Sequence, residues 1–433
     1  MSGERAPSSL CLVPWIHAHV DAQGFRGLCC MDMARRGEAV RRRDESFEAF
    51  WNGAPMRAVR RQMLSGALPE RCRLCRGDGN RSQSLKDQIA ERWPGREPEI
   101  IAATDADGAT TLRPFTFDYR TSICNLKCRT CGPLSSSSAE AEARQQDAIA
   151  AVETEGRSWD AAYRRFRATS VDAARGELLA AVKVGAVRQL YWAGGEPLAD
   201  ETHWSVMLAL VESGQADSVD VAYNTNLTLL SHRQRSVETL WPAFRSVHVQ
   251  ASVDGLNAAG TYIRSGFDDA VFRANVETVR ALAARFPTIR LTLDVTVTSV
   301  GLLHLGPLLE FALEAGIEVT GKFMVPRPVN AYLAVEALPD DVRRQWSEHW
   351  MDVILRRDEN NRLGALYDLL RHGLTLPGRL DPGWEAAAVE AIAAFETARQ
   401  DAGGLRRLMA VDSRLAAFPF PRDTARAEDA PRI

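Results

Sequence analysis

Hydrophobic and polar positions follow two regular patterns along the middle of the chain. Short runs rich in Val, Ile, Thr and aromatic residues, which are typical of β-strands, occur at 115–119, 188–192, 218–223, 246–253, 289–298 and 318–325. Between them, apolar residues recur with the spacing of amphipathic helices, at 136–152 and 159–184, then 203–213, 232–241, 270–286 and 304–315. Parallel strands need a crossover helix between them, so this alternation predicts a parallel sheet of the α/β class. Six such repeats are too few for a closed eight-stranded barrel and favour a partial (β/α)6 TIM-like barrel.

The segments on either side of this alternation divide the chain into four parts. Residues 97–112 are rich in Ala, Asp, Gly and Thr, a composition that predicts a linker. From residue 329 onward the pattern is helical and is interrupted by prolines. We therefore predict an N-terminal module over 1–96, the linker over 97–112, the partial barrel over 113–328 and a C-terminal helical region over 329–433.

Composition and charge limit the class of protein. With 433 residues, of which 45% are hydrophobic and 25% charged, the chain is expected to be globular and to have more than one domain. Its net charge of −3 gives no general attraction to nucleic acid. It has no run of 18 apolar residues and no secretory signal pattern, so we expect a cytoplasmic protein with no membrane partner. The basic pair Arg60 and Arg61 is predicted to lie on a solvated helix face.

Cysteine positions add the first chemical information. The chain has eight cysteines, and all of them lie in its first third: Cys11, Cys29, Cys30, Cys72, Cys75, Cys124, Cys128 and Cys131. A disulfide framework is typical of small secreted proteins, which this chain does not resemble. Two compact groups of cysteines indicate metal binding instead.

The second group, Cys124-Asn-Leu-Lys-Cys128-Arg-Thr-Cys131, directly follows the first predicted strand of the barrel. Active sites of parallel barrels lie at the carboxyl ends of the strands. Three thiolates so close together would bind a compact metal centre, and iron–sulfur clusters prefer thiolate ligands. Three protein ligands would leave a fourth iron open to bind a small molecule. A structural zinc site that lacks one ligand is the alternative.

This loop resembles the cluster motif of the radical S-adenosylmethionine (SAM) enzymes, which has three and then two residues between its cysteines. The resemblance implies that the open iron of a [4Fe–4S] cluster binds SAM. It also implies that electron transfer releases methionine and a 5′-deoxyadenosyl radical, which abstracts hydrogen from a substrate. The residue before the third cysteine is commonly aromatic in this family and is Thr130 here, so the packing around adenine is expected to differ.

Motifs after the second and third predicted strands extend the resemblance. Gly194-Gly195-Glu196-Pro197 is similar to the family's turn that receives the methionyl amino group. Physically, the two glycines let the backbone approach a ligand closely, and Glu196 offers a carboxylate to an ammonium group. Asn224 and Asn226 place polar side chains after the next strand. An ordinary βα loop is the alternative for the glycine turn.

Two further motifs complete a resemblance that covers about residues 113–328. Ser252 and Asp254 alternate onto one face and look like the family's ribose-contacting segment. Arg264 resembles an arginine that pairs with the methionyl carboxylate, a task that suits the forked donors of a guanidinium. A solvated surface arginine is the alternative.

The N-terminal cysteines predict a second metal site. Cys11, one of Cys29 and Cys30, and the closely spaced Cys72 and Cys75 supply four ligands. This segment resembles the SPASM or twitch modules that carry an auxiliary iron–sulfur cluster, here a second [4Fe–4S] cluster. In most relatives the module follows the barrel, whereas here it precedes it. The spacing from Gly24 favours Cys29 over Cys30, and a zinc ribbon is the alternative to a cluster.

The resemblance implies a radical SAM enzyme that modifies a substrate by hydrogen abstraction. A ribosomally made peptide is the leading substrate, because auxiliary modules of this type often accompany that chemistry. The alternatives are oxidation or rearrangement of a small polar metabolite, such as a sugar or aminocyclitol, and a non-catalytic iron–sulfur or zinc scaffold. Expected partners are the substrate and a reductant such as flavodoxin or ferredoxin, without nucleic acid.

Overall fold

The computed structural model describes residues 10–30, 32, 46–72, 85–153, 161–376, 381 and 383–418. Its largest sheet contains eight strands. In chain order, the described strands are β1 (His17–Val20), β2 (Arg26–Gly27), β3 (Thr116–Thr121), β4 (Lys127–Cys128), β5 (Gln189–Gly194), β6 (Asp220–Thr225), β7 (Ser231–His232), β8 (Arg235–Ser236), β9 (Ser246–Val253), β10 (Arg264–Ser265), β11 (Ile289–Val297) and β12 (Glu318–Phe323).

The order of the strands identifies the sheet as a partial barrel. It runs β12-β11-β9-β6-β5-β3-β1-β2, and all of its pairings are parallel except that of β1 with β2. From β3 to β12 each strand is added on the same side of the one before it. Right-handed crossovers therefore place the connecting helices on one face, as in a barrel. Because β12 and β2 are both edges, the sheet is open, which confirms the predicted partial (β/α) barrel.

Helices cover one face of this sheet and form the C-terminal region, as predicted. Several begin at a polar cap; Asp268, for example, accepts hydrogen bonds from the N–H groups of Ala270 and Val271. None of the described helices is long and apolar enough to cross a bilayer. The α-helices are Val13–Ile16, Phe47–Trp51, Ala54–Leu64, Leu85–Arg92, Glu97–Ala102, Ser137–Gln145, Asp147–Glu153, Ala161–Lys183, Glu201–Glu212, Val237–Leu240, Asn257–Ile263, Asp269–Arg285, Ser299–Leu303, Gly306–Ala315, Asp340–Arg357, Gly364–Gly373, Trp384–Ala398 and Gly404–Met409.

The two faces of the sheet differ in polarity. In β9, every second residue from Val247 to Val253 is buried and apolar, and these residues join the core that the crossover helices cover. The residues between them, such as His248 and Gln250, point to the opposite face, which we call the inner face. Side chains on the inner face hydrogen-bond between strands; Asn224 on β6, for example, donates to Asp294 on β11, across the intervening strand β9, at 2.7 Å. The inner face is therefore a polar surface enclosed by the strands.

The N-terminal module contributes strands to the same sheet. β1 pairs in parallel with β3, so that His17 lies opposite Thr116, and β2 returns antiparallel to β1. The turn between them contains Gly24 with a φ of +83°, a conformation that favours glycine. The predicted six-stranded barrel is thus extended by two strands from the other end of the chain.

Residues 97–112, the predicted linker, contain a helix and pack against the N-terminal module. Glu97–Ala102 is a helix, and Ile100 is fully buried in a hydrophobic cluster that includes Trp15. The indole of Trp15 donates to the Thr104 hydroxyl at 2.8 Å. Small polar residues suit a turn packed against aromatic side chains as well as they suit a linker, and composition alone does not separate the two cases.

The prediction that Arg60 is solvated is wrong. Its side chain is fully buried, and its Nε and Nη2 donate to the carbonyl oxygen of Pro14 at 3.0 and 2.9 Å. The guanidinium also stacks over the ring of Trp51, 4.8 Å from its centroid. Burial lowers the pKa of Arg60 to about 10. Carbonyl oxygens and an aromatic ring replace water around the Arg60 guanidinium. The sequence near Arg60 does not reveal these contacts, because they form only in the folded chain.

The predicted helix at 232–241 is only partly formed. Strands β7 and β8 form a hairpin, and the helix is limited to Val237–Leu240. Arg233 has a φ of +55°, which the interior of an α-helix does not accept. Arg235 donates to both carboxylate oxygens of Glu201 at 2.8 and 2.6 Å, and this contact holds the hairpin against the neighbouring helix.

Candidate active site at the carboxyl ends of the strands

The loop that follows β3 brings three thiols together. The N–H of Leu126 lies 3.4 Å from Cys124 Sγ, and the thiols of Cys128 and Cys131 are within hydrogen-bonding distance of each other. Burial raises the pKa of Cys124 to about 12, and Arg264 acts in the opposite direction. The predicted ligands therefore form one compact, largely buried group.

Backbone contacts fix this loop against the glycine turn after β5. The N–H of Gly195 donates to the backbone carbonyl oxygen of Thr121 at 2.6 Å. The N–H of Glu196 donates to the backbone carbonyl oxygen of Ile123, also at 2.6 Å. A methyl group at Gly195 would lie 2.3 Å from the oxygen of Ile123 and 3.1 Å from Cβ of Cys124. Gly194 has a φ of +99°, and a methyl group there would lie 2.3 Å from the oxygen of Thr121. Both glycines are required because two strand ends meet here at backbone contact.

Glu196 is fully buried and accepts hydrogen bonds from the polypeptide. Its Oε1 accepts from the Thr225 hydroxyl at 2.7 Å, and its Oε2 accepts from the N–H of Asn226 at 2.6 Å. Burial raises the pKa of Glu196 to about 7. Asn226 in turn donates to Asn125 inside the cysteine loop at 2.9 Å. The predicted residues Glu196 and Asn226 thus connect three loops at this end of the sheet.

Asp254 and Arg264, predicted to contact different parts of one ligand, bind each other. Nη2 of Arg264 lies 2.8 Å from Oδ1 of Asp254, and both side chains are buried. Arg264 also pairs through its backbone with Cys128 in the short β4–β10 ladder. Oδ2 of Asp254 and Nε of Arg264 have no hydrogen-bond partner among the described residues. A buried charge pair with one open acceptor and one open donor is suited to a polar ligand beside the thiols.

Asn224 and Ser252 lie on the inner face of the sheet. Asn224 accepts a hydrogen bond from the Tyr191 hydroxyl and donates to Asp294, which also pairs with Lys322. Ser252 lies opposite Asp294 in the β9–β11 register. The contacts given for Asn224 are thus with other inner-face side chains, and the cofactor-binding roles of Asn224 and Ser252 stay predictions.

Sequence reasoning missed several residues that hold the cysteine loop. The hydroxyl of Ser138 donates to the oxygen of Cys124 at 2.7 Å, and the hydroxyl of Ser136 donates to Leu126 at the same distance. A run of four serines soon after the third cysteine was the available signal. Arg327, which follows β12, donates to the oxygen of Cys131 at 3.0 Å and had no recognisable pattern.

A scan against protein-family models identifies two domains in the chain. Residues 119–305 match the radical SAM superfamily, and residues 11–76 match the SPASM iron–sulfur cluster-binding domain. The chain therefore contains a radical SAM domain and a SPASM domain. The two matched ranges contain every predicted cysteine ligand, and the SPASM domain precedes the radical SAM domain as expected.

Solved structures similar to this radical SAM protein share little sequence with it. The crystal structure of Streptococcus suis SuiB bound to S-adenosylmethionine has 13% identity and a TM-score of 0.38, with 66% of this chain and 59% of that chain covered. SuiB bound to the precursor peptide SuiA has 14% identity and a TM-score of 0.38, with 73% and 64% covered. Polyhistidine-tagged anSMEcpe with bound AdoMet has 15% identity and a TM-score of 0.34, with 56% and 60% covered. The chain spans about three fifths of the length of these structures. No curated protein sequence matches it significantly.

The family implies a [4Fe–4S] cluster and SAM in the radical SAM domain and auxiliary iron–sulfur binding in the SPASM domain. The residues present fit these cofactors. Cys124, Cys128 and Cys131 supply the three thiolates that such a cluster requires. The open Oδ2 of Asp254 and Nε of Arg264 provide an acceptor and a donor for a polar ligand beside them.

Three of the predicted ligands in the SPASM domain contact one hydrophobic cluster. Cys11, Cys29 and Cys72 pack against the same hydrophobic cluster as Trp15. Cys75 lies outside the described residues. Cys30 lies near the guanidinium of Arg120 on the inner face. The preference for Cys29 over Cys30 stays a prediction.

An ion pair that the sequence analysis missed connects the hairpin to the Cys72 turn. Asp32 accepts from Arg71 at 2.7 Å and also from the N–H of Leu28 at 3.2 Å. Arg71 directly precedes Cys72, and Leu28 directly precedes Cys29. Asp32 therefore positions the backbone on both sides of the predicted auxiliary site.

Proposed function

We propose that this protein cleaves SAM reductively at a [4Fe–4S] cluster held by Cys124, Cys128 and Cys131, and modifies a substrate by hydrogen abstraction. One observation carries the proposal: a buried Asp254–Arg264 pair with open hydrogen-bonding atoms lies in the same loop region as three thiols. A structural metal site has no need of such a pair. When bound, the cluster supplies the electron that splits SAM into methionine and a 5′-deoxyadenosyl radical.

The protein's own residues would bind and orient the cofactor. Arg264 would donate to the methionyl carboxylate, and Asp254 would accept from the ribose hydroxyls. The Gly194–Gly195 turn would let the amino group approach backbone carbonyls. Glu196, already accepting from Thr225 and Asn226, would hold that turn in place and add negative charge near the ammonium group.

A ribosomally made peptide is the substrate that we favour, because the SPASM domain is associated with enzymes that modify peptides. The runner-up is oxidation or rearrangement of a small polar metabolite, and the inner face favours it. Tyr191, Asn224, Asp294 and Lys322 form a hydrogen-bonded chain there. Such a chain suits the hydroxyl or amino groups of a compact ligand. In either case a cytoplasmic flavodoxin or ferredoxin would provide the reducing electron.

The test is production of 5′-deoxyadenosine from SAM by anaerobically reconstituted, reduced protein, measured by liquid chromatography. The wild type should carry about eight irons per chain, for two [4Fe–4S] clusters. Combined substitution of Cys124, Cys128 and Cys131 by Ala should halve the iron content and abolish 5′-deoxyadenosine. Retained cleavage in that variant would refute the proposal.

The auxiliary site has a matched variant. Replacing Cys72 and Cys75 by Ala should remove the other half of the iron and leave uncoupled SAM cleavage, because the open iron is assigned to the barrel. One zinc together with about four irons in the wild type would instead identify a structural zinc ribbon.

A further inference from the structure

Two buried histidines lie on the inner face, outside the site described above. His17 and His19 alternate along β1, and they are only 5% and 2% exposed. In register they lie opposite Thr116 and Asp118 near the beginning of β3, several residues before the cysteine loop. Neither residue takes part in the proposed cleavage of SAM.

Hydrogen bonding fixes the proton of each imidazole. The Thr116 hydroxyl donates to the oxygen of Ile16 at 3.0 Å, so it accepts from Nδ1 of His17 at 2.9 Å. Nδ1 of His19 lies 2.8 Å from Oδ2 of Asp118 and donates to it. A neutral imidazole that donates from Nδ1 carries a lone pair on Nε2.

The Nε2 atoms of both rings lack a partner in the described part of the chain. Nε2 of His17 and Nε2 of His19 are buried and have no hydrogen-bond donor among the described residues. Gln189 lies on β5, two strands from β1 in the sheet, and is in register with Thr116 on β3. Its Oε1 is also buried and has no hydrogen-bond partner among the described residues. A group of buried acceptors without donors costs free energy unless a cation or a water molecule occupies it.

The surrounding charges are nearly balanced. Ligand atoms of His17, His19 and Asp118 lie within 4.8 Å of one another. The carboxylate of Asp118 also accepts from Arg120 at 3.2 Å, and Tyr191 and Cys30 are the other titratable groups near that guanidinium. Asp118 thus contacts both Arg120 and Nδ1 of His19, and it orients the His19 ring, as carboxylates commonly do behind a metal-binding imidazole.

We propose that Nε2 of His17 and Nε2 of His19 bind a divalent transition-metal ion of the zinc class within the barrel, with Asp118 and Thr116 fixing the two rings. Imidazole nitrogen suits zinc and its first-row neighbours, whereas carboxylate and carbonyl oxygens suit magnesium and calcium. The remaining coordination positions would be open to Gln189, water or substrate. This site uses none of the cysteines as ligands and does not depend on the proposed cleavage of SAM.

The test uses the intact protein with its iron–sulfur clusters reconstituted first, so that the cysteines are occupied. Added Zn²⁺ should bind at about one ion per chain after desalting. X-ray absorption at the zinc edge should show imidazole nitrogens at roughly 2.0–2.1 Å and no sulfur at about 2.3 Å. A first shell that contains sulfur would place the zinc at the cysteines and overturn the proposal, as would the absence of bound zinc, which would leave only water at these histidines.

Variants provide a second readout. His17→Gln and His19→Gln should each reduce zinc binding by at least tenfold with iron content unchanged. His248→Gln is the matched control, because this inner-face histidine already uses its Nε2 at 3.0 Å from the Thr292 hydroxyl. Equal zinc content in all three variants would contradict the assignment. If a variant fails to fold, the absorption spectrum of the wild type still decides the question.

Discussion

At the scale of single residues, the Asp254–Arg264 pair combines a structural role with a proposed binding role. Arg264→Gln leaves a buried carboxylate without its partner, which costs about 3–5 kcal/mol. The double variant Asp254→Asn/Arg264→Gln removes both charges. It should restore most of the melting temperature that Arg264→Gln alone loses. It should still bind SAM about 10- to 150-fold more weakly, because a charge-assisted hydrogen bond contributes roughly 1.5–3 kcal/mol.

Equilibrium dialysis with radiolabelled SAM measures the affinity, and calorimetry measures the melting temperature. Arg280→Gln is the control, because Arg280 pairs with Glu277 on an exposed helix surface. If the double variant binds SAM as tightly as the wild type, the pair is structural only.

A buried histidine makes acid stability a second property of single residues. His203 is fully buried, with Nε2 2.8 Å from the Tyr223 hydroxyl, and burial lowers its pKa from 6.5 to about 3. The unfolded chain binds this proton first, so stability is complete above pH 6.5 and is lost as the pH falls toward 3. His203→Gln should reduce the pH dependence of the free energy of unfolding by about 1.4 kcal/mol per pH unit in this range. Urea titrations of the wild type and of His203→Gln at pH 7 and pH 5 measure the free energy of unfolding. If this free energy changes equally between the two pH values in both proteins, the account is contradicted.

At the scale of elements, the close approach of β5 to the loop after β3 sets the position of the thiols. Gly195→Ala should push Ile123 and Cys124 away from the turn after β5 and lower iron incorporation at the barrel site, because the added methyl group has no room. Gly176→Ala is the control: it lies in Ala161–Lys183 with nothing within 4 Å of an added methyl group. That variant should keep its iron and gain up to about 1 kcal/mol of stability. Iron analysis checks both, and normal iron content in Gly195→Ala would show that the loop tolerates the shift.

At the scale of the whole molecule, the sequence predicted those features that depend on residues close together in the chain. The alternation at 246–253 predicted β9, and the spacing of Cys124, Cys128 and Cys131 predicted a compact group of thiols. Contacts between distant segments were not visible in the sequence. β1 pairs with β3 across about a hundred residues, and the buried Arg60 finds its acceptor at Pro14 only in the folded chain. The domain boundaries and the individual cofactor contacts remain predictions.

Electron paramagnetic resonance of the reduced protein tests the central claim most directly, because SAM that binds an open iron changes the signal of that cluster. In a variant that lacks Cys72 and Cys75, only the barrel cluster should contribute, and adding SAM should shift its signal. In the variant that lacks Cys124, Cys128 and Cys131, a signal from the auxiliary cluster should remain and should not respond to SAM. A response to SAM in this second variant, or none in the first, would contradict the assignment of the open iron to the barrel.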